Sequence, residues 1–432
     1  MGDDGLKTTL NKSLRVLLTT FMAVILVFFA FDVANADTST EQMQGKENWV
    51  GAWVTSPQMP YTSGISQKGF NNQTVRSIIH PNLDGKGLRI RFSNKYGSNP
   101  LTFGEVHVAV SKGGANIIDG TDHAVTFEGH ENVTIAPGAE VLSDPVTMPV
   151  KSGRNLTVSV YVPQSSGPTT WHSHSNQTSY ISPGNHVADA DSSSFDAKEN
   201  AWFWINGVDV NASPSVKGAI VTLGDSITDG NNSTLNGNHR WPDLLANRLN
   251  QGPPGIQKSV LNEGISGNRI FTDGPTVGES ALHRLNHDVF GQTGVTDVIL
   301  LEGINDIRHW PDIYDSDKII EGMKQIIVRS HSHGLRIFGG TLIPYKGSGL
   351  YTVKGEETRQ AVNDWIKTSG AFDGYIDFDK AVRDPEHPQL MLPKFDSGDH
   401  LHPSDAGYQA MANTIDLSLF KPGKPVGKTP QQ

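Results

Sequence analysis

Lys217-Gly-Ala-Ile-Val-Thr-Leu-Gly-Asp-Ser-Ile227 decides how the second half of this chain is read. Gly218 to Leu223 is short and apolar, the pattern of a strand buried on both faces. A glycine, an acid and a hydroxyl follow it directly. Working outward, the same rhythm recurs downstream. Trp241 to Leu249 reads as a helix with Pro242 in its first turn. Ser259 to Asn262, Val298 to Leu301, Arg336 to Gly339 and Tyr375 to Asp377 read as strands. Asp317 to His333, Glu356 to Thr368 and Ser404 to Leu419 read as helices, the first of them stopped by Gly334. Strands alternating with helices predict an α/β domain over 217–420, a parallel sheet covered on both faces.

Upstream the period is two. Val75 to Ile79, Leu88 to Phe92, Val106 to Val110 and Leu156 to Val160 are short, β-branched runs separated by turns such as Asp84-Gly85. They predict an all-β sandwich, jelly-roll-like, over 49–200. Residues 188–216 read as the transition: an Asp/Ser-rich loop, then Ala201-Trp-Phe-Trp-Ile205, expected at the seam between the domains.

In open α/β sheets, functional residues gather in loops after the C-terminal ends of the strands. Four such loops carry unusual polar groups. In Gly224-Asp225-Ser226 a serine stands at a strand-to-helix turn, where backbone N–H groups can bind an anion; equally, Asp225 and Ser226 can be plain helix caps. In Asn262 to Asn268, Gly267 lets backbone approach a substrate oxygen, or is simply a flexible turn. In Leu301 to Asp306, Asn305 offers a side-chain N–H donor, although a buried Asn more often bonds a loop backbone. In Asp399-His-Leu-His402, three-residue spacing puts Asp399 and His402 on one side of a helical turn, so that the acid can orient the imidazole. Asp399 as a helix cap, or a metal bound by Asp399, His400 and His402, are the competing readings; no third ligand motif such as H-E-x-x-H supports the metal.

Taken together and in this order, the four loops resemble the blocks of the SGNH hydrolases, also called GDSL esterases. The matching residues are Ser226, Gly267, Asn305 and His402, with the acid at Asp399, and Ile227 replaces the Leu of the GDSL name. The resemblance covers about Ala219 to Leu419. It implies a flavodoxin-like three-layer α/β/α fold and a catalytic set Ser226, Asp399 and His402. It also implies an oxyanion hole of the Ser226 N–H, the Gly267 N–H and the Asn305 side chain, and no metal or organic cofactor. Gly51-Ala-Trp-Val-Thr-Ser56 and Phe92-Ser-Asn-Lys-Tyr-Gly97 are similar to two-domain bacterial members, in which a β-sandwich precedes the hydrolase domain. The expected activity is a serine esterase on short-chain acyl or acetyl esters, small or carbohydrate-linked. A lipid esterase, or an inactive carbohydrate-binding or surface module, are the alternatives.

Composition bounds the rest. A chain of 432 residues with net charge −10 suits two domains and argues against a nucleic-acid partner. The absence of cysteine excludes disulfides, thiolate metal sites and a cysteine nucleophile. Lys7, Lys12 and Arg15 precede the apolar run Val16 to Phe31 and an Ala34-Asn35-Ala36 site. That layout predicts a secretory signal over 1–36, cleaved after Ala36 to leave an extracellular protein without a membrane anchor. Residues 37–48 read as a disordered lead-in, and 421–432 as a flexible tail. Two polar clusters attract less weight: Thr170-Trp-His-Ser-His174 reads as a surface loop with a packed Trp rather than a segment reaching the cleft, and the tryptophans of Arg240-Trp241 and Arg308-His-Trp310 read as structural.

Overall fold

The computed structural model describes residues 47–253 and 255–421. The expected signal, the lead-in up to residue 46 and the tail beyond Lys421 lie outside the described residues.

The period-two region forms antiparallel sheets. Its main strands are β1 (Trp49–Val54), β2 (Gln73–Ile79), β3 (Gly85–Ser93), β4 (Glu105–Gly113), β5 (Leu156–Val162), β6 (Ser179–Pro183) and β7 (Ile205–Ala212). One sheet runs β1-β7-β3 and ends on Glu140–Leu142; the other runs β6-β2-β5-β4 with short strands at both margins. β5 pairs with β2 without a slip, from Leu156 opposite Ile79 to Val162 opposite Gln73. All four expected strands are present. The expected transition is different. β7 lies inside it, yet it is an interior strand between β1 and β3. Trp202, Phe203 and Trp204 just before it are buried, and Trp204 packs edge-on against Phe70 and Phe103. Phe203 and Trp204 sit in this core, where truncating one such ring typically costs about 3–5 kcal/mol, while Trp202 reaches the expected seam, with the Arg240 guanidinium 5.3 Å from the centre of its ring. The β half therefore extends to Ala212.

The second half holds β8 (Ala219–Gly224), β9 (Ser259–Gly264), β10 (Val295–Leu301), β11 (Arg336–Gly340) and β12 (Gly374–Ile376). They form one parallel sheet in the order β9-β8-β10-β11-β12, with β8 buried along its whole length. Its principal helices are α1 (Ser226–Asp229), α2 (Trp241–Asn250), α3 (Ile304–Arg308), α4 (Ser316–Ser332), α5 (Val353–Thr368) and α6 (Asp405–Thr414). α4 illustrates why these segments are helical. Asp315 caps its first turn by accepting from the Asp317 N–H, and Ile319, Ile320, Met323, Ile326 and Ile327 form its buried stripe. α6 is shorter than expected: it stops at Thr414, and a single 3-10 turn, Leu417–Phe420, completes the segment.

From Asn48 onward the halves belong to one compact unit. Their seam lies along β9, the margin of the parallel sheet. The Gly51 N–H of β1 donates to the Thr293 carbonyl at 3.0 Å. The Asn82 side chain donates to the Val260 carbonyl at 2.6 Å and accepts from the Val260 N–H at 3.2 Å.

Candidate active site

β8 delivers Ser226 to the C-terminal margin of the sheet. A Cβ on Gly224 would stand 2.6 Å from the Leu301 carbonyl oxygen, so only glycine lets the chain turn there. Asp225 does cap α1, its carboxylate accepting from the Ile227 N–H at 2.9 Å. The cap reading thus holds for Asp225, while Ser226 is left with its hydroxyl free to face another partner. That partner is His402: Nε2 lies 2.8 Å from Ser226 Oγ. His402 Nδ1 lies 2.6 Å from Asp399 Oδ2. A hydrogen on Nδ1, bonded to the carboxylate, leaves Nε2 as the acceptor for the serine hydroxyl.

Asp399 and His402 do not meet on a helical turn, as their spacing suggests. Residues 399–402 precede α6, and His400 has a positive φ of 62°. Asp399 Oδ1 instead accepts the backbone N–H groups of Leu401 and His402 at 2.9 and 2.8 Å, an Asx turn that reaches the same juxtaposition. Partial burial raises the Asp399 carboxyl, but the bonds from His402 and the backbone outweigh it and hold the group well below the usual carboxylate range. Asn232 adds a further donor to Asp399 Oδ2 at 2.9 Å. His400, weighed above as a ligand, is paired with Asp396 at 2.6 Å. Among the described residues no cluster of three or more His, Asp or Glu is arranged to hold a metal ion.

The remaining two loops converge on α1. Gly267 has φ +79°, and a Cβ there would stand 2.7 Å from Val277, so the turn requires glycine. Its neighbour Ser266 holds its single hydroxyl hydrogen between Asp229 Oδ2 at 2.9 Å and Asn231 Oδ1 at 2.8 Å. On the other side, the Asn268 carbonyl accepts from Asn305 Nδ2 at 3.1 Å. The same Nδ2 makes only a long 3.4 Å contact with Asp225. One amide hydrogen of Asn305 is committed, and the other is weakly held beside the serine turn. Burial pushes the Asp225 carboxyl up to about 6, opposed by the Ile227 bond and by the charges of His402 and Arg308.

Several residues at this site were not legible as such. Arg284 is buried behind the serine turn and donates to Gly224, Asn268, Glu263, Asp288 and Ser56. Glu302 is fully buried, and burial raises its carboxyl well above the usual range; its place between a strand end and Gly303 was the available signal. Trp171 and His172 form a buried two-residue strand rather than a surface loop. His172 Nε2 lies 3.1 Å from Asp229 of α1, and Nδ1 lies 2.9 Å from the Ser56 carbonyl. Trp241 is a core residue against Phe378, as expected, whereas Trp310 is 87 % exposed. A separate groove of about 950 Å³, between Lys346, Tyr351, Glu357 and Leu390, contains none of the site residues.

Comparison with known proteins follows this geometry. Residues 222–410 match the model of the GDSL-like Lipase/Acylhydrolase family. No curated protein matches the chain. Similar solved structures include a GDSL-like lipase from Bacteroides thetaiotaomicron, at 18 % identity over 46 % of this chain and 87 % of that one, TM-score 0.35. An aryl esterase from M. smegmatis aligns at 17 % identity over 45 % and 94 %, TM-score 0.37. A carbohydrate acetylesterase from Sinorhizobium meliloti aligns at 15 % identity over 45 % and 94 %, TM-score 0.36. Residues 222–410 of this chain are a GDSL-like lipase/acylhydrolase domain, which places the protein among the carboxylic ester hydrolases.

Proposed function

We propose that the protein is a secreted serine esterase that cleaves short-chain acyl or acetyl esters, including carbohydrate-linked ones, through an acyl-enzyme on Ser226. One observation carries this reading: the continuous run from Asp399 through His402 to the Ser226 hydroxyl, at 2.6 and 2.8 Å. His402 Nε2 takes the hydroxyl proton as Oγ attacks the ester carbonyl. The negative oxygen of the tetrahedral intermediate faces the N–H groups of Ser226 and Gly267 and the loosely held hydrogen of Asn305. Collapse breaks the bond to the alcohol, which receives the proton from His402. Water then repeats the sequence and releases the acid.

The strand order 2-1-3-4-5 supports a flavodoxin-like core for the hydrolase domain, and the two antiparallel sheets support a jelly-roll-like sandwich before it. Export rests on the leader over 1–36. A fluorophosphonate is expected to modify Ser226, and Ser226→Ala to give neither adduct nor turnover of p-nitrophenyl acetate. Undiminished turnover in that variant overturns the assignment.

A further inference from the structure

The β half sends one segment to the nucleophile's own helix. His172 bonds Asp229 at the end of α1, and Asn176 Nδ2 donates to the Gly230 carbonyl at 3.0 Å. Both ends of the segment are therefore pinned to residues that lie about one helical turn, ~5 Å of rise, beyond Ser226. His174 stands between them, and its ring is exposed.

One tautomer of that ring satisfies all the contacts around it. Gln58 Oε1 accepts from the Ser173 N–H at 2.9 Å and from the Ser173 hydroxyl at 3.1 Å. The only hydroxyl hydrogen of Ser173 is thereby used. The 2.9 Å contact between Ser173 Oγ and His174 Nδ1 then needs its hydrogen on Nδ1. Partial burial, with the charges of His172 and His402 nearby, pushes the His174 imidazole below its ordinary value against the pull of Asp229. The ring is neutral, so Nε2 is a bare acceptor. Among the described residues nothing donates to it.

The leaving alcohol must lie beside His402 to receive its proton. The segment that carries His174 is held to the helix that begins at Ser226, through Asp229 and Gly230. We propose that His174 Nε2 accepts a hydrogen bond from a free hydroxyl next to the esterified oxygen, making the β half the specificity wall for esters of polyhydroxy alcohols. This rests on the serine esterase reading above. Sugars and glycerol share the required chemistry.

The experiment compares kcat/KM for glycerol monoacetate and for a monoacetylated xylo-oligosaccharide, each divided by kcat/KM for p-nitrophenyl acetate, which has no free hydroxyl. In His174→Ala at least one ratio is expected to fall about tenfold, the effect of one hydrogen bond. His174→Gln, which keeps an acceptor, is expected to retain most of it. Loss for the sugar ester alone identifies a saccharide, and loss for the glycerol ester alone identifies an acylglycerol. Ratios unchanged in His174→Ala, or equally reduced in both variants, overturn the proposal. Ser226→Ala is assayed alongside: turnover by that variant overturns the esterase reading itself, whereas an inactive Ser226→Ala with unchanged His174→Ala ratios overturns only the hydroxyl subsite.

Discussion

Arg284 donates from Nη2 to the carbonyl oxygen of Gly224 at 2.9 Å, so a buried guanidinium holds the residue on which the strand leading to Ser226 ends. The same side chain donates from Nε to Asn268 at 3.0 Å, beside Gly267, and from Nη1 to Ser56 of the β half at 3.0 Å. One cation therefore sets the spacing between the serine turn, the glycine turn and the accessory sheet. Five donors in a rigid plane suit this task, and a lysine could not reproduce it.

Arg284→Leu is expected to destabilise the fold by about 3–5 kcal/mol, because Asp288 loses its buried cation and two carbonyls lose their donor. The urea midpoint measures this. A shift worth less than about 1 kcal/mol would mean that the network is dispensable.

Asn305→Ala removes the loosely held hydrogen that the proposed mechanism assigns to the developing oxyanion. The barrier should rise by about 3–4 kcal/mol, a 10²–10³-fold fall in kcat with little change in KM. Steady-state kinetics on p-nitrophenyl acetate decide it, and a kcat within twofold of the parent would remove Asn305 from the anion site.

Glu302 governs part of the pH dependence of stability. No side chain bonds either carboxyl oxygen among the described residues, and burial pushes the group well above the usual carboxylate range, with Asp225 nearby adding to the effect against the Arg284 charge and the Gly303 N–H. Because the folded-state pKa is raised, the contribution to stability is full below the unfolded value of about 4.3 and is lost as pH rises toward the folded value. Glu302→Gln mimics the neutral acid and should make stability fall less steeply between pH 5 and 8, by up to about 1.4 kcal/mol per pH unit. Parallel stability–pH curves for the two proteins would contradict this.

The parallel sheet was legible because β8 and β10 are near-continuous apolar runs, and the reactive loops because they follow those strands. Ser226, Asn305 and His402 stood out by their place in loops after strands or before the last helix, and the resemblance to the SGNH blocks singled them out from the competing readings. What escaped reading depends on contacts distant in sequence. His172 is buried only because Ser56 and Asp229 meet it from 116 and 57 residues away. Arg284 sits in a short helix whose sequence shows no periodic face, continued by a wider turn over Leu285–Phe290. β7 was hidden behind a polar stretch that resembles a linker, although the aromatic run before it already demanded burial. The Asp399–His402 juxtaposition was anticipated, but through a helical turn, since the Asx turn leaves no mark in the spacing.

The side chain of Asn82 meets both the N–H and the carbonyl of Val260, and its Oδ1 also accepts from the Ser259 hydroxyl at 2.7 Å. An amide placed this way presents the donor and acceptor that a neighbouring strand would present. Arg284 similarly occupies the Glu263 carbonyl farther along the same margin. Strand addition by another polypeptide at these positions would first have to evict both side chains, so Asn82 of the accessory half and Arg284 of the hydrolase half together guard this sheet margin against intermolecular assembly.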